Sequence, residues 1–411
     1  MSGKASLIVM IGFSMLFLAI ANNFHGVSGR MTDNYVEYFT QTTSHNIAIS
    51  GANLAANEIF LDPTWTTGFN NLDYQNGKLF VNVLILDNYK NIRQIVSRGI
   101  FNKDTSTVRI TLAPSKFSKF AYYSISEGGN IWWINQDTVW GPFHTQDRLR
   151  VSLKPSFYGK ASSKQAIQYY TSQAKDAPYF HGGYEQGVDL PMPADGVSSL
   201  KAPAQAGGLY FNGNLSGKST IYMEFDSDYL YYRYNTTSPF DTLHLPTAAP
   251  NGLIFVENGT VRMKGTISGA YTIACSGTSG VRGSIYLDDN VIYKNDPRTD
   301  PTSIDMLGIV AQKQILISDN APNQNNITIQ ASIYAQDIGF GAENYDKRPV
   351  SGNINLLGGI IQNTRQAVGT FSGGSIKSGF AKQYRYDERF LVASPPFFPG
   401  TGGFEIVSWY E

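Results

Sequence analysis

The side chains of this sequence that could perform catalysis are few and do not form a known motif. His144 and Asp147 lie close together, but no pattern places a serine nucleophile beside them. The motifs G-x-S-x-G and H-E-x-x-H, a Walker loop and a G-x-G-x-x-G turn before a helix are all absent from the 411 residues. We therefore interpret His144 and Asp147 as turn residues and predict that the protein is not an enzyme.

Residue types that bind metals are equally sparse. The sequence has one cysteine, Cys275, and five scattered histidines, which excludes an internal disulfide and a cysteine-based zinc site. One stretch is rich in the side-chain oxygens that calcium prefers, and its carboxylates include Asp288, Asp289 and Asp296. Their spacing matches no calcium-loop motif, so we interpret the stretch as a solvated loop and predict no metal and no cofactor.

Aromatic side chains are the better candidates for a functional surface. Trp132, Trp133 and Trp140 lie close together in the chain. Neighbouring residues of a strand point to opposite faces, so Trp132 and Trp133 cannot both point into the core. An outward ring can stack on a sugar or on a partner protein. Plain packing between strands and loops is the alternative.

Composition narrows the class of protein that must position these side chains. Lys and Arg total 32 and Asp and Glu total 32, so the net charge is zero. A nucleic-acid-binding protein would carry a basic excess. Charged residues make up 16% of the chain, against roughly 25% in ordinary soluble domains, whereas glycine and aromatic contents are high. The composition predicts a β-rich, extracytoplasmic protein with no nucleic-acid partner.

The N-terminal apolar segment predicts a membrane anchor. Residues 5–21 carry no charged side chain and are long enough, as a helix with its flanks, to cross a bilayer core. The alternatives are a cleaved signal peptide ending at Ala19-Ile20-Ala21 and a buried core helix. The side chains expected to contact lipid are Leu7, Ile8, Val9, Met10, Ile11, Phe13, Leu16, Phe17, Leu18 and Ile20.

A helical continuation follows the apolar segment. Residues 22–60 contain no proline, and Pro63 indicates where the helix stops. Small residues at positions 50–56 suit close packing against another element. We predict one long helix and assign residues 1–60 to a single transmembrane and stalk segment.

The N-terminal segment resembles the type IV pilin-like proteins, in particular the minor pilins and pseudopilins of the PilX and GspK type. The resemblance lies in residues 3–10 and in the small-residue run at 48–56. It implies that a dedicated peptidase cuts after Gly3, so that the mature chain starts at Lys4. Major pilins carry Glu at the fifth mature position. Ile8 stands there in this sequence and favours a minor or initiating subunit.

The rest of the chain has the pattern of strands. Runs at residues 78–86, 91–101 and 105–112 predict an antiparallel meander packed on the upper stalk helix, and we assign residues 61–117 to it. Beyond this point, short alternating strands are separated by Gly, Asn, Asp and Ser. We predict that residues 118–411 form an irregular β-solenoid head, with a β-sandwich as the alternative. The fold class is therefore mainly β with one long N-terminal helix.

The head also resembles uncharacterised surface proteins with a pilin-like anchor from Bacteroidota-related lineages. This resemblance lies in residues 138–147 and 155–160 and in the C-terminal runs 384–389, 395–399 and 408–411. It implies an architecture and no chemistry.

Together these patterns predict a membrane-anchored, pilin-like structural protein of the cell envelope, acting as a minor filament subunit or a surface adhesion component. The expected partners are membrane lipid, other pilin-like subunits or the pilus or secretion machinery, and glycans. The anchor would lie in the inner membrane and the head in the periplasm or outside the cell, including in a surface filament. The alternatives are a secreted β-solenoid that binds or cleaves polysaccharide and an anchored periplasmic scaffold.

Overall fold

A computed structural model describes residues 2–88, 90–129, 131–135, 137–372 and 375–411. The chain is mainly β with one long N-terminal helix, which confirms the predicted fold class at this level. It divides into two compact units. The first contains residues 1–114 and 403–411, and the second contains residues 115–402.

The first unit consists of one helix and one sheet. Its elements are α1 (Ser2–Leu61), β1 (Phe69–Tyr74), β2 (Gly77–Asp87), β3 (Ile92–Phe101) and β4 (Asp104–Lys116), together with the C-terminal strand Gly400–Tyr410. The strand order is β1-β2-β3-β4 followed by the C-terminal strand. The pairings from β1 to β4 are antiparallel.

The C-terminal half of α1 packs on this sheet. Alternate sheet residues point towards the helix because neighbouring side chains of a strand face opposite sides. A small residue of the sheet allows a close approach to the helix: a Cβ on Gly99 of β3 would lie 2.2 Å from the carbonyl oxygen of Ser44 in α1. The buried side chains of this core are Ile47, Ala48, Ala52, Ala55, Ile59, Leu79, Val81, Ile95, Val108, Ile110 and Leu112.

The N-terminal half of α1 has no such partner. Within the described residues, α1 is the one helix that is long and apolar enough to cross a membrane, and its most apolar window is 0% buried. Each predicted anchor side chain is exposed, from Ile20 at 41% to Leu18 at 75%. Gly3 and Lys4, at the predicted processing position, are also exposed and helical.

The second unit contains the remaining strands. They are β5 (Tyr122–Ser126), β6 (Thr138–Val139), β7 (Phe143–Thr145), β8 (Arg150–Val151), β9 (Ser156–Phe157), β10 (Ala161–Ser163), β11 (Gln168–Tyr169), β12 (Tyr179–Phe180), β13 (Tyr184–Gln186), β14 (Leu209–Asn212), β15 (Thr220–Ser227), β16 (Tyr229–Arg233), β17 (Asp241–His244), β18 (Leu253–Glu257), β19 (Thr260–Ile267), β20 (Ala270–Cys275), β21 (Ile285–Tyr293), β22 (Met306–Ala311), β23 (Ile315–Ile317), β24 (Ile327–Ala335), β25 (Phe340–Ala342), β26 (Val350–Thr364), β27 (Gly369–Ser372) and β28 (Ser375–Arg385); the C-terminal strand is β29. The short α-helices are α2 (Gln173–Asp176), α3 (Lys201–Gly207) and α4 (Leu245–Ala248).

Most strands of the second unit pair in parallel with a strand of a neighbouring turn of the chain. One ladder runs in the order β14-β18-β20-β22-β24-β26-β5-β7-β10-β13. In-register parallel pairing places equivalent side chains in columns. One buried column contains Ile254, Ile273, Ile309, Ile333 and Ile360, and continues through Tyr122, Phe143, Ala161 and Tyr184.

A second parallel ladder, β15-β19-β21-β23-β25, places the apolar column Ile221, Val261, Ile285, Ile315 and Phe340 against the same core. From β18 to β5 the other face of the first ladder is buried too. Side chains from residues 197–204 and Phe398 cover it, in contact with Tyr123, Phe255 and Tyr334. This covering explains why strands of the first ladder are apolar on both faces.

Two segments that are distant in sequence meet where β26 pairs with β5. Glu127, just after β5, is fully buried. Its Oε2 atom forms an ion pair with the Nη1 atom of Arg365, just after β26, at 3.2 Å. The Tyr122 hydroxyl and the Trp133 indole also donate to Glu127, at 2.9 and 2.8 Å. These bonds satisfy the buried carboxylate, as a low-dielectric interior requires.

The C-terminal strand is the main difference from the sequence-based division. The sequence predicts that the head contains residues 118–411, whereas in the structure residues 403–411 extend the sheet of the first unit. The strand pairs at the edge of β4, and its Phe404 and Trp409 pack on the core of that unit. The second unit is thus an insertion between β4 and β29 in the chain.

Candidate functional site

Three aromatic rings form a stacked column on the surface of the second unit. Trp140 stacks on Tyr158 with ring centroids 4.1 Å apart and an interplanar angle of 4°. Tyr158 stacks on His181 at 4.3 Å and 7°. All three are exposed, and Trp140 exposes 56% of its surface. We call these residues the aromatic ladder.

The backbone sets the alignment of the aromatic ladder. Each ring follows directly on a short strand, and β6, β9 and β12 pair in parallel so that Val139 lies opposite Phe157 and Phe157 opposite Phe180. The amide of Tyr158 donates to the carbonyl of Val139 at 2.8 Å, and the amide of His181 donates to Phe157 at 2.8 Å. The rings therefore stack because the turns of the chain are in register.

Glycines beside the rings let these turns approach each other. Each ring residue is followed by a glycine: Gly141, Gly159 and Gly182. A Cβ on Gly159 would lie 2.2 Å from the carbonyl carbon of Gly141, and a Cβ on Gly182 would lie 2.4 Å from that of Gly159. No side chain fits in these gaps, so glycine is required for the spacing of the column.

Trp140 also lines a cleft of about 580 Å³. One of its faces is covered by Tyr158, so the other face and the ring edge are the surfaces left for contact with a ligand. The other walls come from the C-terminal segment of the second unit and from the loop after β21. The remaining lining residues are Pro297, Arg298, Pro301, Leu357, Arg385, Tyr386, Asp387, Glu388 and Arg389.

The charges in the cleft fall into two groups. Asp387 holds Arg389 with two contacts, at 2.6 and 2.9 Å, and Asp296 holds Arg298 in the same way. The hydrogen bonds from Arg298 lower the pKa of Asp296 to about 2, so that carboxylate is ionised at neutral pH. By contrast, the exposed Arg385 and Glu388 side chains have no hydrogen-bond or ion-pair partner in the part of the chain that the structure describes.

Trp133 does not belong to this surface, which corrects the sequence-based assignment. It is 4% exposed. Its indole nitrogen donates to Glu127 at 2.8 Å, and the Arg365 guanidinium lies 4.0 Å from its ring centroid. Glu127 is only six residues from Trp133 in sequence, but its counter-charge, Arg365, is 238 residues away, and this distant pairing has no sequence signal.

Trp132 and Trp140 lie on different parts of the surface. Trp132 is half-buried and contacts Tyr170 edge to face at 5.1 Å. It does not line the cleft that contains Trp140. Of the three predicted tryptophans, the structure therefore places Trp140 alone at the cleft, and Trp132 is a useful reference position.

His144 and Asp147 have separate structural partners. His144 is fully buried, stacks on Tyr123, and has its Nδ1 atom 2.8 Å from the Ser162 hydroxyl. Burial lowers the pKa of His144 to about 4. Asp147 forms an ion pair with Arg150 at 3.1 Å. A buried imidazole without access to solvent does not suit general acid–base catalysis.

The predicted oxygen-rich stretch does not assemble into a metal site. Among the residues that the structure describes, no group of three or more His, Cys, Asp or Glu side chains could hold an ion. Asp288 is engaged by Arg262 at 2.6 Å and Asp296 by Arg298 at 2.5 Å. Asp289 accepts from the backbone amide of Asn290. Arginines therefore take the place that a cation would occupy beside Asp288 and Asp296.

Sequence reasoning missed two of the three ladder rings, Tyr158 and His181. A signal was present. The dipeptides Trp140-Gly141, Tyr158-Gly159 and His181-Gly182 each follow an apolar residue, and the first two are 18 residues apart. An insertion that contains α2 lengthens the next interval and hides the repeat.

Comparisons with known proteins give few matches. No family model matches this chain, and no curated protein matches it. Among solved structures, the chain is similar to the competence-associated pilin ComZ from Thermus thermophilus. The sequence identity is 14% and the TM-score 0.38, over 90% of this chain and 97% of that one. A TM-score of this size does not define a shared fold.

Proposed function

We propose that this chain is a membrane-anchored, pilin-like structural protein of the cell envelope. The observation that carries the proposal is the division of α1 into two halves. The C-terminal half contributes Ile47, Ala52 and Ile59 to a core with the sheet, whereas the N-terminal half leaves its apolar side chains exposed on all sides. A helix that is apolar all round needs a surrounding apolar medium.

A lipid bilayer supplies that medium. Leu, Ile, Phe and Val at the centre of a span each favour insertion by roughly 0.3–0.6 kcal/mol, so the nine residues of these types among the predicted anchor side chains together favour it by several kcal/mol. In water the same side chains would form a large exposed apolar patch, which soluble proteins avoid. The inner membrane is the location we propose for the anchor, with both β-rich units on its outer side.

We propose a minor rather than a major subunit role. Ile8 replaces the glutamate that the resemblance to pilins would require for a self-polymerising subunit. Processing after Gly3 and assembly with other pilin-like subunits belong to this proposal, as does a surface filament that carries the head.

We further propose that the second unit is an irregular β-solenoid with a binding rather than a catalytic role. Long parallel ladders with in-register columns support a solenoid over a sandwich, because sandwiches consist of antiparallel sheets. Adhesion to glycans through the exposed aromatic residues is the role that fits a displayed head. A secreted solenoid that binds or cleaves polysaccharide is the second candidate function. The observation that favours it is the cleft lined by Trp140, which could hold a sugar.

The proposal is tested by fractionation of cells that express the full-length chain. We expect the protein to remain in the membrane pellet after an alkaline carbonate wash and to be released by detergent. Protease added outside the inner membrane of spheroplasts should degrade the head. A protein found in the soluble fraction, or one protected from external protease, would refute the anchored arrangement.

A further inference from the structure

We propose that the cleft at Trp140 is a carbohydrate-binding site in which a sugar ring stacks on the exposed face of Trp140. This inference deepens the proposed adhesion role and rests on it for its biological setting. It adds the position of the site and the chemical class of the ligand, which is an uncharged pyranose of an oligosaccharide or polysaccharide.

The aromatic wall of the cleft has the properties that a sugar requires. The C–H groups on one face of a pyranose are apolar and pack on the face of an aromatic ring, while its hydroxyls stay hydrated or hydrogen-bonded. Trp140 is 56% exposed and presents a face opposite to the one that Tyr158 covers. The ring of Trp140 is thus held in place by Tyr158 on one face and is free to contact a ligand on the other.

The aromatic wall is also rigid. Tyr158 and His181 support Trp140 from behind with parallel rings at 4.1 and 4.3 Å. On the other side of the backbone, Gly141 lies against the ring of Tyr386, whose hydroxyl donates to the carbonyl of Lys119 at 2.9 Å. Little side-chain entropy remains to be lost when a ligand binds, so the stacking energy is available for affinity.

The polar groups of the cleft match sugar hydroxyls. Arg385 offers planar N–H donors and Glu388 offers acceptor oxygens. Neither side chain makes a hydrogen bond or an ion pair with another described residue of the chain. The neighbouring pairs Asp387–Arg389 and Asp296–Arg298 are internally satisfied and hold the walls in place. A pocket with a large aromatic surface and a few convergent polar groups is the usual form of a small-ligand site.

The balance of charge favours an uncharged ligand. Of the three lining arginines, Arg298 is neutralised by Asp296 outside the lining, and the lining carboxylates Asp387 and Glu388 balance the other two, so the cleft with this partner has no excess charge. A polyanion such as a nucleic acid would need an excess of basic side chains, and its binding would weaken strongly with salt. Binding of a neutral sugar should change little with salt.

The test measures binding of cellohexaose and chitohexaose to the full-length protein in phosphatidylcholine nanodiscs, by tryptophan fluorescence and calorimetry. Nanodiscs avoid detergents with sugar headgroups, which would compete for the site. We expect one of the two hexasaccharides to bind, W140A to lower the affinity at least tenfold, and R385A to lower it several-fold. W132A is the matched control, because Trp132 lies outside the cleft. The W132A variant should bind the hexasaccharide with the same affinity as the wild type.

Three results would overturn the proposal: no binding of either hexasaccharide, equal losses in W132A and W140A, or tight and salt-sensitive binding of oligo-dT that W140A abolishes. Should W140A fail to fold in a thermal melt, R385A decides the question, because the exposed Arg385 side chain makes no hydrogen bond or ion pair with the described residues. Membrane retention of each variant is measured in parallel. The carbohydrate proposal can thus be refuted while the membrane anchor is supported, and the membrane anchor can be refuted while carbohydrate binding is supported.

Discussion

At the scale of single residues, the most consequential interaction is the buried ion pair of Glu127 and Arg365. Glu127 is 0% exposed, and Tyr122, Trp133 and Arg365 all donate to it. The pair joins β5 to β26, which are separated by most of the second unit in sequence. Its partners are needed because a buried charge without a counter-charge is unstable.

Glu127→Gln removes the negative charge and leaves Arg365 buried without compensation. We expect the free energy of unfolding to fall by about 3–5 kcal/mol, measured by urea titration of the full-length protein in micelles. The control is Glu185→Gln, which breaks the exposed Lys160–Glu185 pair and should cost less than about 1 kcal/mol. Equal stability of the two variants would show that the free energy of unfolding does not depend on the charge of Glu127.

The buried His144 predicts how stability depends on pH. Its pKa is lowered by burial to about 4 in the folded protein, from 6.5 in the unfolded chain. Between these values the unfolded chain binds the extra proton, so stability from this residue is complete above pH 6.5 and falls as the pH drops towards 4, by up to about 3 kcal/mol. His144→Phe should flatten the change in stability between pH 7 and pH 5. If His144→Phe left the pH dependence of the unfolding free energy unchanged, the lowered pKa of His144 would be contradicted.

At the scale of elements, the aromatic ladder depends on glycines rather than on the rings alone. Gly159→Ala would place a methyl group 2.2 Å from the carbonyl carbon of Gly141, which forces neighbouring turns apart. We expect a loss of about 2 kcal/mol or more in unfolding free energy, together with a weaker exciton signal from the stacked rings in near-ultraviolet circular dichroism. Gly207→Ala is the control, since its nearest heavy atom would be 3.5 Å away. A wild-type spectrum for Gly159→Ala would argue against the tight stacking.

The long helix makes a separate prediction about anchoring. Phe13→Arg places a charge in the middle of the apolar segment, at a cost of about 2.5–3.5 kcal/mol for insertion. We expect this variant to lose retention in carbonate-washed membranes or to fail to assemble, whereas Phe13→Leu should behave like the wild type. Full retention of Phe13→Arg would count against a spanning anchor.

Elements with a local signal could be predicted from the sequence, and those with distant partners could not. The helix followed from a proline-free run, and β2, β3 and β4 from alternating side chains with turn residues between them. Tyr158 and His181 were missed because the interval between repeats is interrupted by the insertion with α2. The sequence pattern leaves open which of Trp132 and Trp133 points inward, because Arg365, which covers the ring of Trp133, is distant in sequence.

At the scale of the whole molecule, the chain leaves the first unit after Pro114 and returns to it at Gly403. The last strand, β29, then completes the sheet that packs on α1. His45 of the helix and Glu411 at the end of the chain form a 3.4 Å contact within that unit. No sequence pattern indicated that the C-terminal residues pair with β4, since the pairing spans the entire insertion.

In the proposed function, residues 5–21 remain in the mature protein as a membrane anchor. Intact-mass and N-terminal analysis of the protein purified from its native membranes tests it directly. We predict a mature chain that begins at Lys4 and is recovered from the carbonate-washed membrane fraction with the apolar segment intact. A mature chain that begins at Asn22 and is recovered in the soluble fraction would contradict the claim.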